Sequence, residues 1–267
     1  MGFSKFSKIK SITKKNIGSV LSRLSYWKWK INGEKPISIG DHTINISVTN
    51  YLGDYREIRF FEKNEHQEMN DMLSEIEPED TLLDIGANIG IHSLFASLNT
   101  DQVISIEPHP VNASHLLVNK WKNNSDIDLY QCAFSDTAGY TNISGPRGGL
   151  LADGSVALSQ FELPSKKGAQ GGRENKIHVR TEVGDRFIET EGITIPDVVK
   201  IDVEGAETNV IDGLESTLSN SDCRVLYCEI HRDRVAYDDL VSKIKDMGFS
   251  VQVIDTRDYS KTIKATK

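Results

Sequence analysis

Two short runs place acids and a histidine where they could do chemistry. "KIDVEGAE" (200–207) closes an apolar run with Asp202, Glu204 and Glu207, and "CEIH" (228–231) closes another with Glu229 and His231. A hydroxyl is a poor nucleophile until its proton is taken, so group transfer to one calls for a general base or a metal that lowers the hydroxyl pKa. His231 is the natural base, with Glu229 or Asp202 orienting its ring. Asp202, Glu204 and Glu229 could instead ligate a divalent cation such as Mg through oxygen. A buried acid cluster with no counterion would be costly, which favours a bound cation or a cationic substrate group. Each residue also has a plainer reading: His231 as a satisfied strand-end histidine, and Glu207 as a helix-start acid stabilised by the helix dipole.

A third run, "TLLDIGANIGIHSLFA" (81–96), is an apolar strand entering a glycine turn and then a helix. The dinucleotide fingerprint GxGxxG lets the backbone approach a pyrophosphate at a helix N-terminus. Here the middle glycine is missing between Gly86 and Gly90, and Asp84 stands just before the turn, where a carboxylate would repel pyrophosphate. S-adenosylmethionine carries an ammonium and a sulfonium and no phosphate, so the charge favours the methyl donor. Glu107 ends the next strand, "VISIE", where it could accept both ribose hydroxyls of an adenosine. Asn88 could bind the donor carboxylate, whereas His92, on the helix, reads as packing. A hydride-transfer enzyme of the short-chain type would want Tyr-x-x-x-Lys beside the site. That spacing occurs at Tyr26 and Lys30, before the sheet begins.

These residues need strands and helices in alternation to bring them together. The hairpin "PISIGDHTINISV" (36–48), turning at Gly40 and Asp41, reads as a plausible edge to the main sheet. A helix over 57–76 follows, ending before Pro78. Strands then alternate with helices: "TLLDIG", 90–99, "QVISIEP", 110–123, "DIDLYQCAF", and later "DVVKIDVEG", 206–219, "RVLYCEIH", 235–247 and "FSVQVID". Near-continuous apolar strands with amphipathic helices between them indicate an α/β fold whose mostly parallel sheet has helices on both faces. Ligands of such sheets bind beyond the carboxyl ends of the strands. The segment 144–176 breaks the rhythm; it holds seven glycines and is expected to be a substrate lid or a flexible insertion.

Charge is unevenly spread. Residues 1–30 contain eight Lys/Arg and no acid, leaving 23 basic residues against all 39 acidic ones in the body of a chain whose net charge is −8. An acidic body argues against nucleic acid as a partner. The head's apolar residues recur at helical spacing among lysines, with Tyr26, Trp27 and Trp29 following, which suits peripheral contact with an anionic membrane. It equally suits a frayed arm or a helix docked on the acidic body. No run approaches the ~20 apolar residues of a spanning helix. Cys132, Cys223 and Cys228 lie in apolar runs without CxxC spacing, so they read as reduced core residues of a cytoplasmic protein, at most peripheral to the inner membrane surface. Residues 1–35 are read as a basic arm and 36–267 as the catalytic domain; the oligomeric state is not legible.

In order and spacing, "LLDIGANIGIHSLFAS", "VISIEPHPVNASHLLVNK", "CAFSDTAGY", "VVKIDVEGAETNVIDGL" and "CEIH" resemble the motif series of the FkbM family of S-adenosylmethionine-dependent methyltransferases, over about residues 57–256. The resemblance implies a Rossmann-like class I methyltransferase fold and O-methylation of a sugar, glycolipid or other hydroxyl-bearing acceptor. It also implies that Asp84, Gly86 and Gly90 hold the methionine end of the donor, Glu107 its ribose, and Ala133, Phe134 and Asp136 its adenine. The final antiparallel strand of that fold is missing after "FSVQVID" unless the tail 258–265 supplies it. The competing readings are methyl esterification of a uronic acid, an NAD-dependent oxidoreductase, and a non-catalytic binding module.

Overall fold

The computed structural model describes residues 27–48, 54–144 and 176–267. The head before residue 27 and nearly all of the 144–176 segment, and with them the interfacial-helix and lid expectations, lie outside the described residues. A helix at 27–32 (α1) leads into β1 (Glu34–Ile39) and β2 (His42–Ser47), followed by α2 (Asp54–Asn64) and α3 (His66–Glu75). The next elements are β3 (Thr81–Ile85), α4 (Ile91–Ala96), β4 (Gln102–Ile106), α5 (Pro110–Asn123) and β5 (Asp128–Tyr130). Then come β6 (Ala133–Ser135), β7 (Gly139–Ser144), β8 (Lys176–Val183), α6 (Gly184–Glu191) and β9 (Val198–Ile201). The chain closes with α7 (Glu207–Gly213), α8 (Glu215–Ser219), β10 (Val225–His231), α9 (Tyr237–Asp246), β11 (Ser250–Thr256) and β12 (Ser260–Thr266).

Seven strands form the central sheet in the order β11-β12-β10-β9-β3-β4-β5. The run β10-β9-β3-β4-β5 is parallel, and β12 lies antiparallel between β10 and β11. The tail therefore does supply the antiparallel strand expected beside "FSVQVID". From β3 the chain steps outward through β4 to β5, then returns to lay β9 on the other side of β3. That reversal opens a crevice beyond the carboxyl ends of β3 and β9, where open α/β sheets bind ligands.

Side chains alternate across the strands, so each strand feeds two cores. Leu82, Val103, Val198 and Tyr227 join Met69, Phe95 and Leu116 on one face, while Leu83, Ile104, Val199 and Leu226 join Ile211, Leu218 and Leu240 on the other. Burying each such aliphatic side chain is worth roughly 1.5–3 kcal/mol. Cys132, Cys223 and Cys228 are buried and unpaired within these cores. No helix among the described residues is long and apolar enough to cross a membrane.

Several elements differ from expectation. The hairpin is not an edge of the main sheet; β1 and β2 pair only with each other. The backbone N–H groups of Asn45 and Ser47 donate instead to the Asn123 and Asn119 side chains of α5, at 2.7 and 2.9 Å. "DIDLYQCAF" splits at Gln131, with β5 at the main sheet's edge and β6 in a small sheet ordered β6-β8-β7. The helix over 206–219 breaks at Leu214, beside Gly213, where a Cβ would stand 2.2 Å from the Ser135 carbonyl oxygen. The helix over 57–76 breaks at Glu65, with consequences for the site.

Candidate active site

Two cavities meet in the crevice. One, of about 600 Å³, is walled by Ile85, Ile106, Ala133, Phe134 and Val203 with Glu107 and Asn112 among its polar groups. The other, of about 1010 Å³, is lined by Glu65, His92, Lys200, Glu229 and Tyr259. Gly86, Asn88, Asp202 and Glu204 border both. The first suits the mostly apolar body of a nucleoside, whereas the second is polar and acidic.

The glycine turn is built by close approach. At Gly86, with φ +84°, a Cβ would lie 1.9 Å from the Asp202 carbonyl oxygen, so only glycine lets β3 turn this near to the end of β9. Asn88 follows at φ 52° and borders both cavities. Its backbone N–H donates to Glu107 Oε2 at 2.8 Å and its side chain donates to Glu57 Oε2 at 3.1 Å, leaving its own buried Oδ1 without a partner. Glu107 Oε1 accepts from the His109 N–H at 2.7 Å. Burial pushes the Glu107 carboxyl up to about 7 against these hydrogen bonds.

Asp84 is wholly buried and borders neither cavity. It shares the face of Leu82, which turns it beneath the crevice, where Ser93 Oγ donates to its Oδ2 at 2.6 Å and Lys200 Nζ lies 3.8 Å from its Oδ1. Burial raises its pKa. Asp84 and Lys200 face each other directly across β3 and β9. Burial opposes the charge of Lys200, but Asp202 and Asp84 more than offset it and raise its pKa. Gly90 is likewise off the cavity walls; a Cβ there would lie 2.6 Å from Leu116 Cγ, so it serves the packing of α4 on α5. Asp136 is exposed, hydrogen-bonded to Ser135 and Asn209 and off both walls, while Ala133 and Phe134 line the first cavity.

His231 is held by Glu207 rather than by Glu229 or Asp202. Its Nδ1 donates to Glu207 Oε1 at 2.7 Å, whereas its Nε2 lies 3.4 Å from Glu204 Oε2 and 3.9 Å from Glu229 Oε1. The cause is parallel packing: α7 starts just past β9 and points its first acid at the end of β10. Burial opposes the charged ring, but the Glu207 bond and the charges of Glu204 and Asp202 raise His231 to about 9. His231 is buried and not itself on a cavity wall; Glu204 and Glu229 stand there instead. Glu204 sits at φ 55°, uncommon for a residue with a Cβ, and Arg234 donates to its carbonyl oxygen. Burial, then Asp202, pushes the Glu204 carboxyl up to about 7.

The metal-type grouping differs from the expected Asp202, Glu204 and Glu229. Oxygens of Glu65, Asp202 and Glu229 lie within 4.8 Å of one another, while Glu204 turns towards His231. Arg257 Nη1 meets both Glu229 oxygens at 3.0 Å. Sequence reasoning missed Glu65, Lys200, Arg257 and Tyr259. Lys200 left a trace, a charge inside a buried strand; Glu65 left none, because only the break between α2 and α3 aims it inward.

The Methyltransferase FkbM domain model matches residues 84–251, more than half of the chain. The chain is 30% identical over 196 residues to the 31-O-demethyl-FK506 methyltransferase FkbM of Streptomyces tacrolimicus, covering 66% of this chain and 75% of that protein. It is 28% identical over 160 residues to the hexuronic acid methyltransferase AglP of Haloferax volcanii, covering 60% of this chain and 59% of that one. The crystal structure of methyltransferase FkbM from Methylobacillus flagellatus KT superposes with a TM-score of 0.50 at 16% identity, over 73% of this chain and 46% of that chain. That likeness reports the fold alone. With the matched motifs lying at the carboxyl ends of β3, β4, β9 and β10, the chain belongs to the FkbM methyltransferase family.

Proposed function

We propose that the protein is an S-adenosylmethionine-dependent O-methyltransferase whose acceptor is a hydroxyl of a sugar or lipid-linked glycan. The observation that carries this reading is the meeting of an apolar and an acidic cavity at Gly86, Asn88, Asp202 and Glu204. The residues fit the donor: Phe134 and Ile106 offer apolar walls for an adenine, Glu107 an anionic acceptor for ribose hydroxyls, and the unpartnered Asn88 Oδ1 a seat for an ammonium. When bound, S-adenosylmethionine supplies a methyl group made electrophilic by its sulfonium. Asp84 acts from below by fixing Lys200 and Ser93, and the packing of Gly90 fixes the turn.

On the acceptor side, Glu204 is the group of the Glu204–His231 pair that reaches the wall. It would take the proton that the acceptor hydroxyl gives up on methyl transfer from a bound donor, while His231, held by Glu207, positions it. A hydride-transfer role falls away with membership of a methyltransferase family, and a non-catalytic module would not need the acids at the junction. Cytoplasmic placement, with peripheral membrane contact through residues 1–30, belongs to the same proposal; in the part of that arm that is described, Trp27 is exposed on α1.

A uronic acid carboxylate is the second reading, favoured by the similarity to AglP. The acids on the second cavity's wall repel such an acceptor, which favours a neutral hydroxyl. Transfer of labelled methyl to a panel of neutral sugars and uronic acids decides between them. Glu204→Gln should cut transfer to a hydroxyl by about 10²–10⁴-fold while S-adenosylhomocysteine still binds. Ester formation unaffected by Glu204→Gln and His231→Ala would establish the carboxylate reading, and failure of the protein to bind S-adenosylhomocysteine would end both.

A further inference from the structure

We propose that a divalent first-row cation of the Mn²⁺ type binds in the acidic cavity between the carboxylates of Glu65, Asp202 and Glu229, with His92 Nε2 as a nitrogen ligand. The three carboxylates come from three places in the fold, the α2–α3 break, the end of β9 and the end of β10, and their oxygens fall within 4.8 Å of one another. His92 supplies the independent observation. It is 7% exposed, it lines the same cavity, and its buried Nε2 has no hydrogen-bond partner. That nitrogen lies 3.9 Å from Glu65 Oε2. Two ligands bound at ~2.0–2.2 Å to one ion stand at most ~4.4 Å apart, so His92 and Glu65 can share an ion, whereas His92 lies outside the 4.8 Å grouping of the three carboxylates and its ring must shift inward to complete the set.

Charge points the same way. Arg257 neutralises Glu229, and Lys200 Nζ lies 3.5 Å from Asp202 Oδ2. Yet seven carboxylates, Glu65, Glu68, Asp84, Asp202, Glu204, Glu207 and Glu229, share the positive charges of Lys200, Arg234, Arg257 and His231. A methyl donor adds one net positive charge, which leaves room for a dication. Three carboxylates with one imidazole suit a cation that accepts both oxygen and nitrogen, and Mn²⁺ does so with an open coordination position. Binding stands on this geometry alone. Its role, to hold the acceptor hydroxyl and lower its pKa, rests on the methyltransferase reading.

The test is a Mn²⁺ titration of the purified full chain followed by electron paramagnetic resonance, with electron spin-echo modulation to detect a coordinated nitrogen and S-adenosylhomocysteine calorimetry on the same samples. One Mn²⁺ per chain is expected, with imidazole-nitrogen modulation that disappears in His92→Gln and affinity weakened about tenfold or more in His92→Gln and Glu65→Gln. The wild-type modulation is decisive even if a variant folds poorly. Absence of binding at millimolar Mn²⁺, binding without nitrogen modulation, or displacement of Mn²⁺ by S-adenosylhomocysteine would each overturn the proposal. Homocysteine-nucleoside binding with no Mn²⁺ binding would sink the cation and leave the methyltransferase reading standing; the reverse pattern would sink that reading and leave the cation.

Discussion

His231 Nδ1 and Glu207 Oε1 lie 2.7 Å apart, and the same carboxylate oxygen accepts the Gly205 N–H at 2.9 Å. One buried acid at the start of α7 thus fixes both the glycine turn after β9 and the ring at the end of β10. The ring's other nitrogen is thereby aimed at Glu204, the carboxylate where the two cavities join.

Loss of this contact should show in titration. His231 stands at about 9, raised from its ordinary value of 6.5. A histidine with a raised folded-state pKa contributes stability that is complete below about 6.5 and is lost as pH rises through about 9. In chelator-treated protein, the melting temperature should therefore fall between pH 7 and pH 10. In Glu207→Gln the ring should titrate lower by NMR and that fall should shrink. An unchanged His231 titration in the variant would show that Glu207 does not govern the ring.

Lys200 and Asp84 form a buried cross-strand pair with centres 3.8 Å apart. Removing one partner strands the other's charge, at a cost of about 3–5 kcal/mol. Lys200→Met should lower urea-unfolding stability by that amount, and adding Asp84→Asn should restore about 1 kcal/mol or more. Strict additivity of the two substitutions would mean the pair is not coupled.

The sheet was legible because its signals are local: apolar runs at strand length, a glycine turn after the first, and acids closing the fourth and fifth parallel strands. Side-chain parity is legible too. Asp84 shares Leu82's face and Lys200 shares Val198's, so the two had to meet on one face of the sheet, with Asp84 off the crevice wall and Lys200 on the lining of the second cavity. What no local pattern encodes is the aim of residues at breaks. Glu65 looks like any surface acid within an amphipathic helix until that helix is cut in two, and Glu207 looks like a dipole-stabilised helix start until β10 brings His231 beside it. The hairpin misled because its own alternation says that it buries one face, not which partner covers it.

Glu107 should make donor binding pH-dependent. Burial raises its carboxyl to about 7, so below that pH it is protonated and loses acceptor capacity for ribose hydroxyls. Affinity for S-adenosylhomocysteine should weaken as pH falls from about 8 to 5.5, and Glu107→Gln should bind weakly with a flat profile. Calorimetry across that range checks both, and a wild-type profile as flat as the variant's would remove Glu107 from the donor site.

Gly86 and Gly90 should separate when each is changed to alanine, although both have positive φ. At Gly90 the new methyl would meet Leu116 at 2.6 Å, away from either cavity. Backbone strain alone costs about 1–3 kcal/mol, so Gly90→Ala should unfold at lower urea while the folded fraction binds S-adenosylhomocysteine within a few-fold of wild type. Shortening the obstacle in Gly90→Ala/Leu116→Ala should cost less than the two single changes together, because the methyl fills part of the space that the leucine leaves. At Gly86 the methyl would strike the Asp202 carbonyl between the two cavities, so Gly86→Ala should lose binding as well as stability. Equal loss of binding in both variants would mean that Gly90 contacts the donor directly and that its packing against Leu116 is secondary.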